Sequence, residues 1–581
     1  MFQKFIAAAA AFLLALAILH GCSPQGSKPQ TPQTPSDHGL PLVDLKTPPS
    51  GATSAADGSA APKNHSATAD EVAITNNSAH VEPKSVTSFT AADAKPATPD
   101  AKTPDAQSTA DSKTEKAPSA AAENGADPGR AVPKNDEPLF QGWPKPLAVI
   151  VATGMQMGYI EPCGCSGKEN QRGGLSRRHS FLKKLVADGW TVVPLDVGGQ
   201  VRRFGTQSEF KFQRTADALK TMHYRAIALG TDDLRLPAQA LAGPIADNTE
   251  AFVSANAALF DEKFIPRFQI VSAGKLKLGV TAVLGESARR AINNDDIKFK
   301  PAEQALKEVL PDLKKAGCDR LVLLAHATQR ESIELAKKFP EFDFVITSGG
   351  APEPPREPAI VEGTKTRLVE VGQKGEYANV IGLFDDPQQP LRFRMVPLEL
   401  RLGESEEMQQ LMASYQDQLQ QQGLAGLGIK PAPHPSGRQF VGSKTCGECH
   451  TKAFDVWSKT PHAKALDTLA NLKPARQYDP ECLSCHVTGW EPQKFYPFQG
   501  GFASLDKTLL LAHNGCENCH GPGSAHVAAE NKGNEREQAD MRASMRAVKS
   551  AETCLQCHDA DNSLKFDFKT YWPKVEHKGK D

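Results

Sequence analysis

The chain has 581 residues, too many for one compact domain. Its 67 Lys and Arg against 68 Asp and Glu leave a formal net charge of −1, which excludes bulk electrostatic attraction to nucleic acid. Twelve cysteines divide into eight in C-x-x-C-H pentapeptides, Cys22 near the start, and an odd remainder of Cys163, Cys165 and Cys318, so they are not simply a disulfide framework.

Residues 1–21 read as an export signal. Lys4 supplies the basic head and Phe5 to Leu19 the apolar core. The alternative is an uncleaved anchor helix, but the run is short for a span. The stretch ends Leu19-His20-Gly21-Cys22, which resembles a bacterial lipobox, although His20 departs from the usual small or aliphatic residue. That resemblance implies lipidation of Cys22 and a membrane-anchored protein of the periplasm or cell envelope. Ser23 resembles an outer-membrane sorting residue.

Residues 22–138 are rich in Pro, Ala, Thr, Ser, Lys and Asp. Such a composition cannot bury enough apolar surface to offset its ordering entropy. We read it as a disordered tether with an end-to-end distance of about 60 Å.

Residues 145–403 differ in kind. The runs 147–154, 190–196, 225–230, 251–256, 277–285, 320–327 and 342–350 are near-continuously apolar and read as buried strands. Helical patterns lie between several of them, at Gly174–Asp188, Ser208–Met222 and Pro301–Ala316. This alternation predicts an α/β domain. The alternating "LRFRMVPLEL" predicts an added antiparallel strand. Residues 404–439 are read as a helix, from Ser405 to its stop at Gly423, and a Pro-rich hinge.

The order of short motifs here resembles the metallophosphoesterase domain of periplasmic 5′-nucleotidases: "TGMQMG" (153–158), "GGLSRR" (173–178), "DVGGQ" (196–200), "GTDDL" (230–234), "SAN" (254–256) and His326 in "LLAHAT". The resemblance implies a four-layer α/β sandwich. Most of that family's metal ligands are lost. Met155, Met157, Gly199, Thr231, Asp232, Gly349 and Ala351 stand where ligands belong, and His326 alone survives. Methionine and glycine cannot hold the two hard ions that phosphoester hydrolysis uses. Ordinary nucleotidase activity is therefore not expected.

Cys163-Gly164-Cys165 follows the first strand, where an α/β sheet places its crevice. The pair reads as a disulfide or packed thiols, as a thiol-redox or soft-metal site with Met155, Met157 and His326, or as part of a residual metal site. Arg172, Arg177 and Arg178 could bind an anion or form a solvated face. Cys318 reads as a small packed residue. His179, His223 and His434 read as ordinary histidines.

Residues 440–581 carry four C-x-x-C-H motifs, Cys446–His450, Cys482–His486, Cys516–His520 and Cys554–His558. Each is the attachment signature of c-type haem. Cys446, Cys449, Cys482, Cys485, Cys516, Cys519, Cys554 and Cys557 supply the thiols, and His450, His486, His520 and His558 the proximal ligands. Zinc also binds C-x-x-C, but needs no histidine after every second cysteine. The starts are 36, 34 and 38 residues apart, too little peptide for a sizeable core, so four haems are expected to be the core themselves. Four further histidines, His462, His513, His526 and His577, match the number of irons.

The segments "CGECHTKAFDVWSKTPHAKAL", "CLSCHVTGW", "CENCHGPGSAHV" and "FDFKTYWPKVEH" resemble the tetrahaem cytochromes of nitrifying bacteria and their relatives. The resemblance implies a mainly α, haem-packed domain with bis-histidine ligation of most haems and one haem open to a small ligand. By motif, His462, His526 and His577 match distal ligands, while His513 is either a ligand or a partly exposed loop residue. In the second case the haem of His486 is the open one.

Three functions follow. The first is an exported tetrahaem cytochrome exchanging electrons with a redox protein or a quinone-linked partner. The second is an oxidoreductase acting on a small nitrogen, oxygen or sulfur compound, at an open haem or at Cys163 and Cys165. The third is a catalytically dead hydrolase fold that docks the cytochrome. A further metal in the α/β domain stays open.

Overall fold

The computed structural model describes residues 138–162, 171–203 and 205–578. The export signal, Cys22 and nearly all of the tether lie outside them, as do Cys163 and Cys165.

Among the described residues, thirteen strands build the α/β region. They are β1 (Ala148–Thr153), β2 (Val192–Asp196), β3 (Ala226–Ile227), β4 (Ala257–Leu259), β5 (Phe268–Ala273), β6 (Leu276–Leu284) and β7 (Ile297–Phe299). There follow β8 (Arg320–His326), β9 (Phe344–Thr347), β10 (Ala359–Ile360), β11 (Arg367–Glu370), β12 (Tyr377–Leu383) and β13 (Leu391–Pro397). One sheet has the order β13-β12-β1-β2-β3, a second β10-β11-β9-β8-β6-β5, and β4 pairs antiparallel with β7 in a small sheet of their own. In the first sheet, β1, β2 and β3 run parallel, and β12 and β13 add antiparallel to β1. In the second, β6, β8, β9 and β11 run parallel and the two edge strands are antiparallel.

Residue alternation assigns the layers. On β1, Ala148, Ile150 and Ala152 pack with Val280, Val322 and Ile346 of the second sheet. Val149 and Val151 face the other way, onto Phe181, Leu185 and Phe212 of the helices Leu175–Ala187 and Thr206–Thr221. The far side of the second sheet packs Leu321, Leu323 and Val345 on the helices Ala302–Lys315 and Gln329–Lys338. A strand covered on both faces needs apolar residues at every position, hence the continuous runs. The arrangement is the expected four-layer sandwich.

Three expectations need correction. Residues 251–256 form no strand; Phe252 makes one isolated bridge to Ile227. The segment is pinned through side chains instead, with the Asn256 amide donating to the Leu284 carbonyl at 2.8 Å and accepting from the Leu284 N–H at 2.8 Å. Nor is the helix after Ser405 part of a connector. It spans Glu406–Gly426, is kinked at Gly423 (φ 56°), and buries Met408, Met412, Tyr415 and Leu419 in the core beneath the first sheet. The stretch after it is no free hinge either, because Ala432 pairs in the backbone with Pro497 and Gln499.

The tail is mainly short helices. Its one apolar cluster among the described residues holds eight buried side chains, including Leu466, Leu483, Val487 and Trp490. That is little for a segment of this length.

Candidate functional site

The second motif lies in the helix Pro480–His486, and the third forms the helix Cys516–His520. In the first and fourth, the histidine N–H donates to the first cysteine carbonyl at 2.9 and 2.8 Å, one helical turn. Positions i, i+3 and i+4 share a helix face, so both thiols and the imidazole meet on one side.

The ring nitrogens are oriented by their neighbours. His486 Nδ1 donates to the Ala465 carbonyl at 2.7 Å, His520 Nδ1 to the Arg546 carbonyl at 2.8 Å and His577 Nδ1 to the Val575 carbonyl at 2.9 Å. His558 Nδ1 lies 3.1 Å from Ser563 Oγ. A carbonyl on Nδ1 leaves Nε2 with the lone pair a metal needs.

Three pairs of rings face each other. His450 and His526 have ring centres 6.2 Å apart, His462 and His558 6.1 Å, and His520 and His577 5.8 Å. Two metal–imidazole bonds of about 2 Å plus two half-rings come to roughly 6 Å. The spacing fits an iron between each pair. Burial, and then His558 and His486, push His462 down to about 4, so it is held neutral as a ligand must be.

His486 and His513 are not joined by a ring contact among the described residues. His513 Nδ1 accepts from the Leu466 N–H at 3.3 Å, and its carbonyl accepts from Thr488 Oγ1 at 2.8 Å. It ties the Ala465–Ala470 helix to the loop before the third motif.

The thiols give the order of the motifs in space. Cys446 and Cys516 hydrogen-bond to each other, as do Cys485 and Cys557. Cys519 lies near Cys554. Motif one thus lies beside three, four beside two, and three near four. With haem attached, each of these sulfurs is a thioether. A cavity of about 980 Å³ runs among Cys482, Cys485, His486, Cys557, His558 and His462. Paired imidazoles, oriented Nδ1 atoms and a cavity beside the thiols all fit haem.

The same cavity is lined by Met157–Glu161 and Val201–Arg203, the loops after β1 and β2. Ion pairs lace this seam. Glu481 accepts from Arg203 Nη1 at 2.5 Å and Lys211 Nζ at 2.7 Å. Asp561 pairs with Lys374, accepts from Tyr159 Oη at 2.9 Å and lies 3.7 Å from Arg202 Nη1. Arg476 pairs with Glu161. Burial pulls the Glu481 carboxyl up, but Lys211 and Arg203 outweigh it and hold it down. Sequence reading missed all these residues, and only the position of Glu481 directly before Cys482 hinted at them.

The crevice of the α/β region is filled by protein. His326 Nδ1 donates to the Val197 carbonyl at 3.1 Å, and Nε2 accepts from the Thr231 N–H at 3.2 Å. Both nitrogens are thus used on backbone, and burial pushes the ring down, keeping it neutral. A Cβ on Gly230 would lie 2.7 Å from that ring, and one on Gly199 2.7 Å from Met155 Sδ. Asp233 accepts from the N–H groups of Gly199, Gln200, Val201 and Gly230, which ties the loop after β2 to the turn after β3. Arg178 is wholly buried, 3.5 Å from Asp196 and 2.5 Å from Gln156 Oε1, so its guanidinium supplies the positive charge beside that carboxylate. The three arginines form no anion cradle. Arg172 donates to Tyr377 Oη at 2.8 Å and Arg177 to the Gln171 carbonyl at 2.6 Å. Among the described residues, no group of three or more His, Cys, Asp or Glu could hold a metal ion. His179 bonds Ser405 Oγ at 2.8 Å, His434 bonds Ser436 Oγ at 2.8 Å, and Cys318 packs half-buried at the outer core of the second sheet.

Residues 445–521 match the family described as "Cytochrome c554 and c-prime". The tail is 31% identical over 140 residues to cytochrome c-554 of Nitrosomonas europaea, covering 20% of this chain and 57% of that protein. The middle region is 23% identical over 190 residues to a snake venom 5′-nucleotidase of Naja atra, covering 31% of this chain and 36% of that protein. The chain therefore spans between about a third and somewhat over half of these curated relatives. Among solved structures, the 5′-nucleotidase precursor from Thermus thermophilus is similar at 17% identity and a TM-score of 0.41, over 51% of this chain and 62% of that one. Residues 445–521 thus match the cytochrome c554 family, and the region before them is similar to the metallophosphoesterase domain of 5′-nucleotidases.

Proposed function

We propose that the chain is an exported tetrahaem cytochrome in which three haems are held by two histidines each and the fourth, at His486, is open on one side. The observation that carries this reading is the pairing of His450, His558 and His520 with His526, His462 and His577, against a His486 that pairs with no histidine ring among the described residues. Haem supplies the one-electron chemistry. The chain places Cys446 beside Cys516 and Cys485 beside Cys557, orients the imidazoles through carbonyls, and sets the surrounding charge.

Export and lipidation at Cys22 complete the proposal. They rest on residues 1–22 and on the fact that c-type haem attachment in bacteria takes place outside the cytoplasm. An envelope redox protein or a quinone-linked donor is the partner class. The test is a pyridine haemochrome count with absorption and paramagnetic resonance spectra of the purified protein. Four haems are expected, three low-spin and one high-spin, with the high-spin signal shifting on nitric oxide. A colourless or zinc-loaded protein, or four low-spin haems, would refute the respective parts.

The cavity favours a second reading, an oxidoreductase acting on a small molecule at the open site. The loops after β1 and β2 line the same space as His486. Turnover of hydroxylamine or a sulfur donor with reduction of the haems would establish it. Phosphoester hydrolysis is not proposed, because His326 has no free nitrogen and Arg178 sits beside Asp196.

A further inference from the structure

The seam between the two regions has a charge asymmetry. On the tail side, Asp479, Glu481, Asp559 and Asp561 flank the second and fourth motifs; Glu491 and Glu517 line the same cavity, against the three cations Arg476, Arg546 and Lys574. On the α/β side, Arg202, Arg203, Lys211 and Lys374 approach them, and among the described residues lining the cavity Glu161 is the acid of that side. Glu481 directly precedes Cys482 and is met by two cations at 2.5 and 2.7 Å. Asp561 lies in the turn after His558 and is also met by two, Lys374 and Arg202. Asp479 accepts from the side-chain amides of Gln207 and Gln416, at 2.9 and 3.2 Å, and from the Glu481 N–H at 3.0 Å. Asp559 is served by Asn562, Gln493 and backbone N–H groups. By contrast, Glu517 beside Cys516 is met by backbone N–H groups of Val441, Gly442 and Gly523, with no α/β cation among its partners.

An added electron is stabilised by nearby positive charge and destabilised by negative charge, most strongly where water is excluded. We propose that the α/β region acts as an electrostatic collar: Arg203 and Lys211 at the second motif, and Lys374 with Arg202 at the fourth, raise the reduction potentials of the haems held there. This rests on the tetrahaem reading. It assigns the former hydrolase fold a role that needs neither phosphate chemistry nor a metal of its own. Arg203, Lys211 and Lys374 are positioning residues, acting through charge and not by contact with a reacting atom.

The test is a spectroelectrochemical titration of the full-length holoprotein. Arg203→Gln and Lys211→Gln should each move one of the four reduction steps to lower potential and leave the others in place. Lys374→Gln should lower a different step. Arg203 also stacks 3.9 Å above the Phe495 ring, so Arg203→Lys separates charge from packing. It should keep the wild-type potential. Lys183→Gln, at the exposed pair with Glu407, should move nothing. Four unmoved steps in every variant would overturn the proposal, as would an Arg203→Lys shift equal to that of Arg203→Gln. A wild-type haem count other than four would instead overturn the reading beneath it.

Discussion

His462 and His558 face each other with ring centres 6.1 Å apart, although His462 follows the first motif in the chain and His558 closes the fourth. His526 and His577 likewise serve His450 and His520 from other segments. Each paired site is thus completed by a segment outside its own pentapeptide. On the tetrahaem reading proposed above, these pairs lace the tail together, which offsets its small apolar core.

That lacing makes His462 separable from attachment. His462→Ala should leave the haem count at four, since the thioethers are untouched, but convert one low-spin haem to high-spin. Paramagnetic resonance would show a second high-spin signal and one low-spin signal fewer. A spectrum identical to wild type would mean that another ligand serves the iron of His558.

His513 is the contrasting case. Its ring takes the Leu466 N–H at 3.3 Å, so His513→Ala should cost about 1 kcal/mol of stability for one hydrogen bond and leave the spin balance alone. Conversion of a haem to high-spin would instead make His513 a ligand.

The four motifs and the buried strands were legible in the sequence because each is a local pattern. β1, β6 and β8 are continuous apolar runs, and helix Gln329–Lys338 opens with a capping box from Thr328 to Glu331 that was there to be read. Strand β12 was missed because Asn379 and Gly382 interrupt "YANVIGL", yet all seven residues are buried. Asn379 donates to the Glu370 carbonyl at 2.9 Å, and Gly382 lies flat under Trp143 and Phe384. The seam pairs, Arg203 with Glu481 and Tyr159 with Asp561, were illegible for another reason. A charged residue in a loop looks solvated until the fold brings its partner beside it.

The altered crevice cannot be repaired by one ligand. Gly199 has φ 80°, and a Cβ there would lie 2.7 Å from Met155 Sδ. Gly199→Asp should therefore strain the backbone at a cost of about 1–3 kcal/mol and restore no phosphoesterase activity. Denaturant unfolding and a chromogenic phosphodiester assay with manganese would check both. Metal-dependent turnover would show that the crevice can still hold two ions.

The charge that took the place of metal near Asp196 makes the sharpest stability prediction. Arg178 and Asp196 are both fully buried, and Asp196 also accepts from Thr153 Oγ1 at 2.7 Å, the Gly198 N–H at 2.9 Å and Gln200 Nε2 at 2.7 Å. Removing one member leaves a buried charge with its hydrogen bonds but no counter-ion, a loss of about 3–5 kcal/mol. Arg178→Met and Asp196→Asn should each reach that range in denaturant unfolding followed by tryptophan fluorescence, which reports Trp143 and Trp190 packed on this domain. The double variant should cost clearly less than the two single losses added, because the second substitution removes the charge the first one stranded. Strict additivity, or single losses below about 1 kcal/mol, would mean that the hydrogen bonds around Asp196, and not the guanidinium, hold the crevice shut.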